Sequence, residues 1–363
     1  MLLWRVEVKR VRKRWWALSR RKNELAGSKL KNMAETKFIQ GQRDQFFEAL
    51  FPIFKADRNC VIITADNGAP SLDQFYKELP DQFFQVGIAE QQMVGMAAGM
   101  AIEGKKVYCY AIAPFVTTRV HEFVKLDMCS MNLPVTLLGV GAGYAYDIMG
   151  PSHHTVEDIS IMRCLPNLTI WGPADGAFAY RLAKETYERS GPQYVRFDRA
   201  GVKDVYASKE VNWLDFSAGM CTIEQVRANS LLAGSGRTWD QAVLVTTGSM
   251  LRQALAAADA LALKGIDTVV VDVYRLKPFN AELFLRLIDK TSTVVTIEEH
   301  YLAGGLGSIV AECMVDNFRK QNLIRMGRDD RFCFEYGGRQ AVWADSGLDV
   351  ASIVSRVEEE LSV

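Results

Sequence analysis

The sequence predicts an α/β chain of two domains, each a mostly parallel, doubly wound sheet. Three observations carry that reading. Short apolar runs alternate with longer amphipathic segments from about residue 60 to the C-terminus. The runs are apolar throughout rather than at every second residue, as strands covered on both faces must be. The rhythm lapses once, between about 201 and 240, then restarts, and 363 residues suffice for two ordinary domains.

The elements follow in order. Residues 60–65 read as the first buried strand. Phe83, Phe84 and Val86 end another, which runs through Gly87 into a helix with Glu90 in its first turn. That helix carries Met93, Gly95, Met96, Ala97, Ala98, Gly99 and Met100, small or sulfur-bearing on every side, so burial is expected. Strands at 106–112, 135–140, 168–171 and 194–197 then alternate with helices at 117–131, 157–164 and 175–190. Pro134, Pro173 and Pro192 fall at element ends, where proline is tolerated. The more polar stretch 201–240 reads as the interdomain connection. Beyond it come strands at 242–246, 268–272 and 294–298 and helices at 250–264, 280–290, 306–318 and 349–361. The domains are placed at 36–200 and 241–363, after a basic extension, 1–35, expected to be poorly ordered.

The 43 basic and 43 acidic residues cancel, so the chain as a whole lacks the basic surface that nucleic acid or a membrane would require. Residues 1–31 are the exception, with eleven Lys and Arg against Glu7 and Glu24 and with Trp4, Trp15 and Trp16 interleaved. Such a stretch suits a presequence or a surface-binding helix. The plainer reading, an extension ahead of an ordinary start at Met33, is preferred. No apolar run reaches spanning length. The seven cysteines include no Cys-x-x-Cys and read as reduced core residues of a cytoplasmic protein.

In sheets of this kind ligands bind beyond the carboxyl ends of the strands. Asp66-Asn67-Gly68, the turn 87–90, Ala113-Pro114-Phe115 and the loop 141–155 all lie at such ends. Glu90 is either a first-turn acid favoured by the helix dipole or a buried acid in use. The loop Gly141-Ala-Gly-Tyr-Ala-Tyr-Asp-Ile-Met-Gly-Pro-Ser-His-His-Thr155 holds two of the four histidines, His153 and His154. Together they lean towards ligand contact; metal binding is disfavoured because no further ligand lies at metal spacing.

In order and spacing these segments resemble the transketolase family. Gly87-Ile-Ala-Glu-Gln91, Phe115, Gly150-Pro-Ser-His-His-Thr-Val-Glu-Asp-Ile159 and Leu165-Pro-Asn-Leu-Thr-Ile-Trp-Gly-Pro-Ala-Asp175 are similar to its pyrimidine-binding domain. Val270-Val-Asp-Val-Tyr-Arg-Leu-Lys-Pro-Phe279 and Val295-Thr-Ile-Glu-Glu-His-Tyr-Leu-Ala-Gly-Gly-Leu-Gly307 are similar to its C-terminal domain, and the likeness spans 36–363. The resemblance implies thiamin diphosphate as cofactor. Glu90 maps onto the glutamate that hydrogen-bonds the aminopyrimidine and promotes the imino form that takes the thiazolium proton. Phe115 maps onto the aromatic ring on which the pyrimidine stacks. Asp66 and Arg119 resemble further cofactor-site residues. His153 maps onto a histidine that contacts substrate and moves a proton. His154, where a glutamine is common, and Arg199, matching a phosphate-binding arginine, are implied in substrate binding. Arg196 reads as structural. For Arg199, Arg119 and Asp66 the plain alternative is a surface ion pair.

One part of the family pattern is missing. The diphosphate and its Mg²⁺ are held there by a segment opening Gly-Asp-Gly, and no such tripeptide occurs in this chain. Hard oxygen ligands in a preset cage are needed for that job. The resemblance therefore implies one component of a split transketolase, which transfers a two-carbon ketol unit between sugars or sugar phosphates. A separately encoded partner would hold the diphosphate and Mg²⁺, in an α2β2 heterotetramer built around a dimer of this chain. Alternatives are the β-subunit of a 2-oxoacid dehydrogenase and a non-catalytic structural subunit. A 1-deoxyxylulose-5-phosphate synthase would normally be one long chain. Met149 stands where the family carries an aspartate that touches a substrate hydroxyl, which points to an unusual sugar.

Overall fold

The computed structural model describes residues 41–66, 68–199, 201, 205–206, 214–224, 241–334 and 337–361. The expected basic extension and the stretch 225–240 lie outside the described residues.

Two sheets form the frame. The first contains β1 (Cys60–Thr64), β2 (Phe83–Gln85), β3 (Lys106–Ile112), β4 (Val135–Val140), β5 (Thr169–Trp171) and β6 (Gln193–Phe197). The second contains β7 (Cys221–Thr222), β8 (Ala242–Thr246), β9 (Thr268–Asp272), β11 (Thr293–Tyr301) and β12 (Asn322–Arg328). The remaining strand, β10 (Arg275–Lys277), leaves the second sheet's sequence neighbourhood and pairs with β5. The orders are β10-β5-β6-β4-β3-β1-β2 and β12-β11-β8-β9-β7. All pairings are parallel except β10 with β5 and β7 with β9. Strands β1, β4, β6 and β8 are buried at every position, which is why their sequences are apolar without alternation.

The helix Gln42–Ala56 packs on this frame through Phe46, Phe47, Phe51 and Phe54, whose rings meet Phe75, Tyr108, Tyr110 and Phe197 edge-on or tilted. Buried Gln42 ties it to the first sheet. Its amide donates to Pro173 O at 2.9 Å, and its carbonyl accepts from Asp198 N at 2.8 Å.

Several expectations are revised. The segment 117–131 is not one helix: Thr118–Val120 is a 3-10 turn, His121–Phe123 is α-helical and Val124–Cys129 is a π-helix. Val116, Thr117, Thr118 and Val120 crowd its start with β-branched side chains, which lose rotamer freedom in a regular helix. The helix Glu90–Ile102 is buried on one face only, through Glu90, Met93, Val94, Ala97, Ala98 and Ala101; a side chain at Gly99 would meet nothing within 4 Å. Part of the expected connection forms β7 on the edge of the second sheet. β12 and the helix Arg339–Asp345 carry no clear apolar period and went unpredicted. Six cysteines are buried and all seven are free, but Cys164 is exposed.

Candidate active site

The carboxyl ends of β1, β3, β4 and β6 meet at one rim of the first sheet. The turn after β2 reaches the same rim, where Gly87 takes φ 77° and Glu90 opens the helix Glu90–Ile102. Glu90 is 4% exposed. Its Oε2 accepts a hydrogen bond from Arg119 Nη1 at 2.8 Å. Phe115 ends the 3-10 turn that follows β3, and the Arg119 guanidinium lies flat over its ring, 3.8 Å from the centroid.

His153 stands on the other side of this cluster. Its ring meets Phe115 at 5.5 Å and Tyr146 at 5.7 Å between centroids, and Ser152 Oγ lies 3.0 Å from Nδ1. The exposed guanidinium of Arg199, just past β6, lies 4.8 Å over the Tyr146 ring. A continuous ladder results: Arg119, Phe115, His153, Tyr146, Arg199. Two cations cap it and one imidazole sits at its centre. Burial, then the charge of Arg119, lowers the His153 pKa below the ordinary 6.5. The ring is therefore mainly neutral at pH 7 and able to take a proton.

The other expected residues fall differently. His154 points into the loop: it is buried, its Nε2 meets Asp147 O at 3.2 Å, and its ring sits edge-on to Tyr144. Its pKa is lowered, chiefly by burial. It supports the loop from beneath instead of joining the ladder. Asp66 is exposed after β1, and no hydrogen bond or ion pair among the described residues links it to Glu90. Arg196 is structural, as expected: it grips Asp158 at 2.8 and 3.1 Å, and Tyr194 donates to the same carboxylate at 2.8 Å. That pairing holds the Asp158 carboxyl below its usual range despite full burial. Met149 is half exposed at the tip of the 3-10 turn Asp147–Met149, beside exposed Ile148.

The loop 141–155 is shaped by contacts its own sequence does not reveal. Gly141 has φ 96° and a Cβ there would run into the Tyr146 ring; Gly143 has φ 62° and a Cβ there would strike the Glu299 carboxylate. Arg339 joins these parts. Its guanidinium donates to Asp198 at 2.7 Å, to Glu299 at 2.6 and 2.9 Å and to Ser249 at 3.0 Å, while its backbone N–H donates to Asp147 at 2.9 Å. Trp343 adds a bond to Glu299. The second sheet thus clasps the loop at Gly143 and at Asp147. Tyr146, as an aromatic in a glycine-rich loop, was findable in the sequence; Arg339 and Glu299 left no local signal.

Comparison with known proteins agrees with this arrangement. Residues 42–203 match the family description "Transketolase, pyrimidine binding domain", and residues 236–353 match "Transketolase, C-terminal domain". One of the two subunits of the apulose-4-phosphate transketolase of Phocaeicola vulgatus is 34% identical over 312 residues, 86% of this chain and 94% of the relative. A 6-deoxy-6-sulfo-D-fructose transketolase subunit of a Clostridium species is 32% identical over 319 residues, 87% of this chain and 93% of the relative. A solved structure, described as a split gene transketolase in an inactive β4 tetramer, superposes with a TM-score of 0.75. It is 31% identical, and the match covers 89% of this chain and 98% of the other. The chain belongs to the transketolase family. Within it, the chain is the C-terminal component of a split transketolase: a thiamin diphosphate-dependent transferase subunit.

Proposed function

We propose that this subunit seats the aminopyrimidine of thiamin diphosphate between Glu90 and Phe115 and presents His153 and Arg199 to a sugar phosphate. The observation that carries the reading is the buried carboxylate of Glu90 beside the Phe115 ring, at the rim where the ladder begins. The residues suit the group. A planar, N–H-bearing guanidinium already lies between them, bonded to the acid and stacked on the ring. When bound, the coenzyme supplies a nucleophilic carbon and an electron sink for the C–C bond that is cut and remade. Glu90 holds the proton shared with the pyrimidine, and Phe115 orients the ring. Stacking of this kind is worth about 1 kcal/mol beyond area, so it positions more than it catalyses. His153 exchanges a proton with the substrate oxygen. Arg199 pairs with the phosphate, and Arg119 lines the seat. Asp66 and His154 serve the site indirectly, through the strand end and the loop.

In this reading Mg²⁺ and the diphosphate are held mainly by a separately encoded subunit, since the chain has no Gly-Asp-Gly segment. An α2β2 assembly brings the two together in the cytoplasm. The open face of the helix Glu90–Ile102, around Gly99, with exposed Ile88 and Ile102 at its two ends, offers a surface for another subunit. Among the described residues no helix is long and apolar enough to cross a membrane. The half-exposed Met149 favours a substrate without a hydroxyl to be read at that point. The branched and deoxy sugars in the relatives' names accord with this. The two sequence blocks, 36–200 and 241–363, correspond to the pyrimidine-binding and C-terminal domains in this scheme.

The test is Glu90→Gln in the complex reconstituted with its diphosphate-binding partner, thiamin diphosphate, Mg²⁺ and a panel of ketose phosphates. Turnover should fall by roughly 10²–10⁴-fold, the usual worth of a positioned acid or base. Unchanged turnover would leave the chain a structural subunit.

A further inference from the structure

We propose that Arg119 is a resident stand-in for the coenzyme's aminopyrimidine: its guanidinium fills the slot between Glu90 and Phe115, and the coenzyme binds by displacing it. The proposal rests on the reading of Glu90 and Phe115 as the coenzyme's seat and adds an occupant to it.

Two contacts define the slot, and one side chain makes both. Arg119 Nη1 donates to Glu90 Oε2 at 2.8 Å, and the same guanidinium stacks 3.8 Å from the Phe115 centroid. A guanidinium is planar and offers N–H donors along its edge and a flat face for stacking. An aminopyrimidine offers those same features to a carboxylate and an aromatic ring. Both cannot hold the same carboxylate oxygen and the same face of one ring. His153 already stands against Phe115, which narrows the space further.

The exchange is physically accessible. The Arg119 side chain is 37% exposed, whereas Glu90 is 5% exposed, so the cation can swing outward while the acid stays. Arg119 sits on the 3-10 turn Thr118–Val120, not inside a packed helix. The arrangement also answers a need of the chain by itself: a buried carboxylate left without a counter-ion is strongly destabilising. Arg119 supplies that counter-ion until a ring with its own N–H donors arrives. Once released, the cation stands at the rim near the ladder, on the side from which an anionic sugar approaches.

The test uses the full chain and thiamin, which carries the pyrimidine without the diphosphate. Thiamin binding is measured by calorimetry for the unaltered chain and for Arg119→Ala. The emptied slot should bind thiamin about tenfold more tightly, the scale expected for losing one cation–π contact and one charge-assisted hydrogen bond as competitors. Methylguanidinium added to Arg119→Ala should refill the slot and reverse the gain competitively. In the unaltered chain, the Arg119 side-chain NMR resonances, shifted by the Phe115 ring current, should move as thiamin saturates. Equal or weaker thiamin binding by Arg119→Ala overturns the proposal. So does failure of both folded proteins to bind, or an Arg119 signal that stays put at saturation. Failure of the underlying reading looks different: it is unchanged turnover of Glu90→Gln in the reconstituted complex.

Discussion

At the scale of single residues, His153 makes the sharpest case for how surroundings set chemistry. Its neighbours are two aromatic rings and a hydroxyl, with a guanidinium one ring away. Burial and then the charge of Arg119 both disfavour the imidazolium. NMR titration should place its midpoint below the ordinary 6.5, and Arg119→Met should raise that midpoint part of the way back. The recovery is partial because burial, the larger cause, remains. A midpoint that stays or falls in Arg119→Met would show that the guanidinium does not act on this ring. The adjacent His154 has the opposite fate. Identical in sequence context, the two are separated by which one turns under the loop, and His154 spends its Nε2 on the Asp147 carbonyl.

At the scale of elements, the loop 141–155 decides the site. Gly141 at φ 96° lets the chain turn and leaves room for the Tyr146 ring. Gly141→Ala should place a side chain in a left-handed conformation and push Tyr146 out of the ladder. We expect a loss of about 1–3 kcal/mol in urea unfolding. In the reconstituted complex the KM for a sugar phosphate should rise more than kcat falls, because Arg199 loses the ring that steadies it. Native stability together with a native KM would mean that the loop tolerates another path. The helical stretch after Phe115 teaches a related lesson. Its apolar period was legible, but its broken 3-10, α and π course was not, because that course is set by packing against the helix Glu90–Ile102.

At the scale of the whole molecule, two buried charge systems bind the sheets together. Arg339 neutralises Asp198 and Glu299 and is held charged by them, its pKa raised far above the ordinary value despite burial. Arg339→Met removes one cation from two buried carboxylates. Breaking such a pair typically costs about 3–5 kcal/mol, so a large fall in the unfolding midpoint is expected, with the loop residues losing hydrogen-exchange protection. An unchanged midpoint would show that water replaces the guanidinium. The second system is Asp272, whose pKa burial pushes up to about 8, although Tyr206 donates to it at 2.6 Å. Burial likewise lifts Glu298 to about 7, against two backbone N–H bonds. In each case the folded state keeps a proton that the unfolded state has shed. Stability should therefore fall as pH climbs from about 4 towards 7 for Glu298 and 8 for Asp272, then level off. Asp272→Asn should flatten its share of that slope; an unaltered slope would place the titration elsewhere.

The sequence by itself determined the α/β rhythm of two parallel sheets and the short-range constellation of Glu90, Phe115, Arg119 and His153. Those features are written in local patterns: apolar runs of strand length, a glycine before a helix start, residues gathered at strand ends. Only the tertiary structure decided that Arg119 lies between Glu90 and Phe115, that His154 turns inward and that Asp66 stays apart. Tertiary structure alone also brought Arg339 to Asp198 across 141 positions of chain, and carried β10 from one sheet's neighbourhood to the other's edge. The physical reason is the same each time. A hydrophobic period reports which face of an element is buried, but the partners of a buried charge depend on how two sheets dock, and no local pattern records that distance.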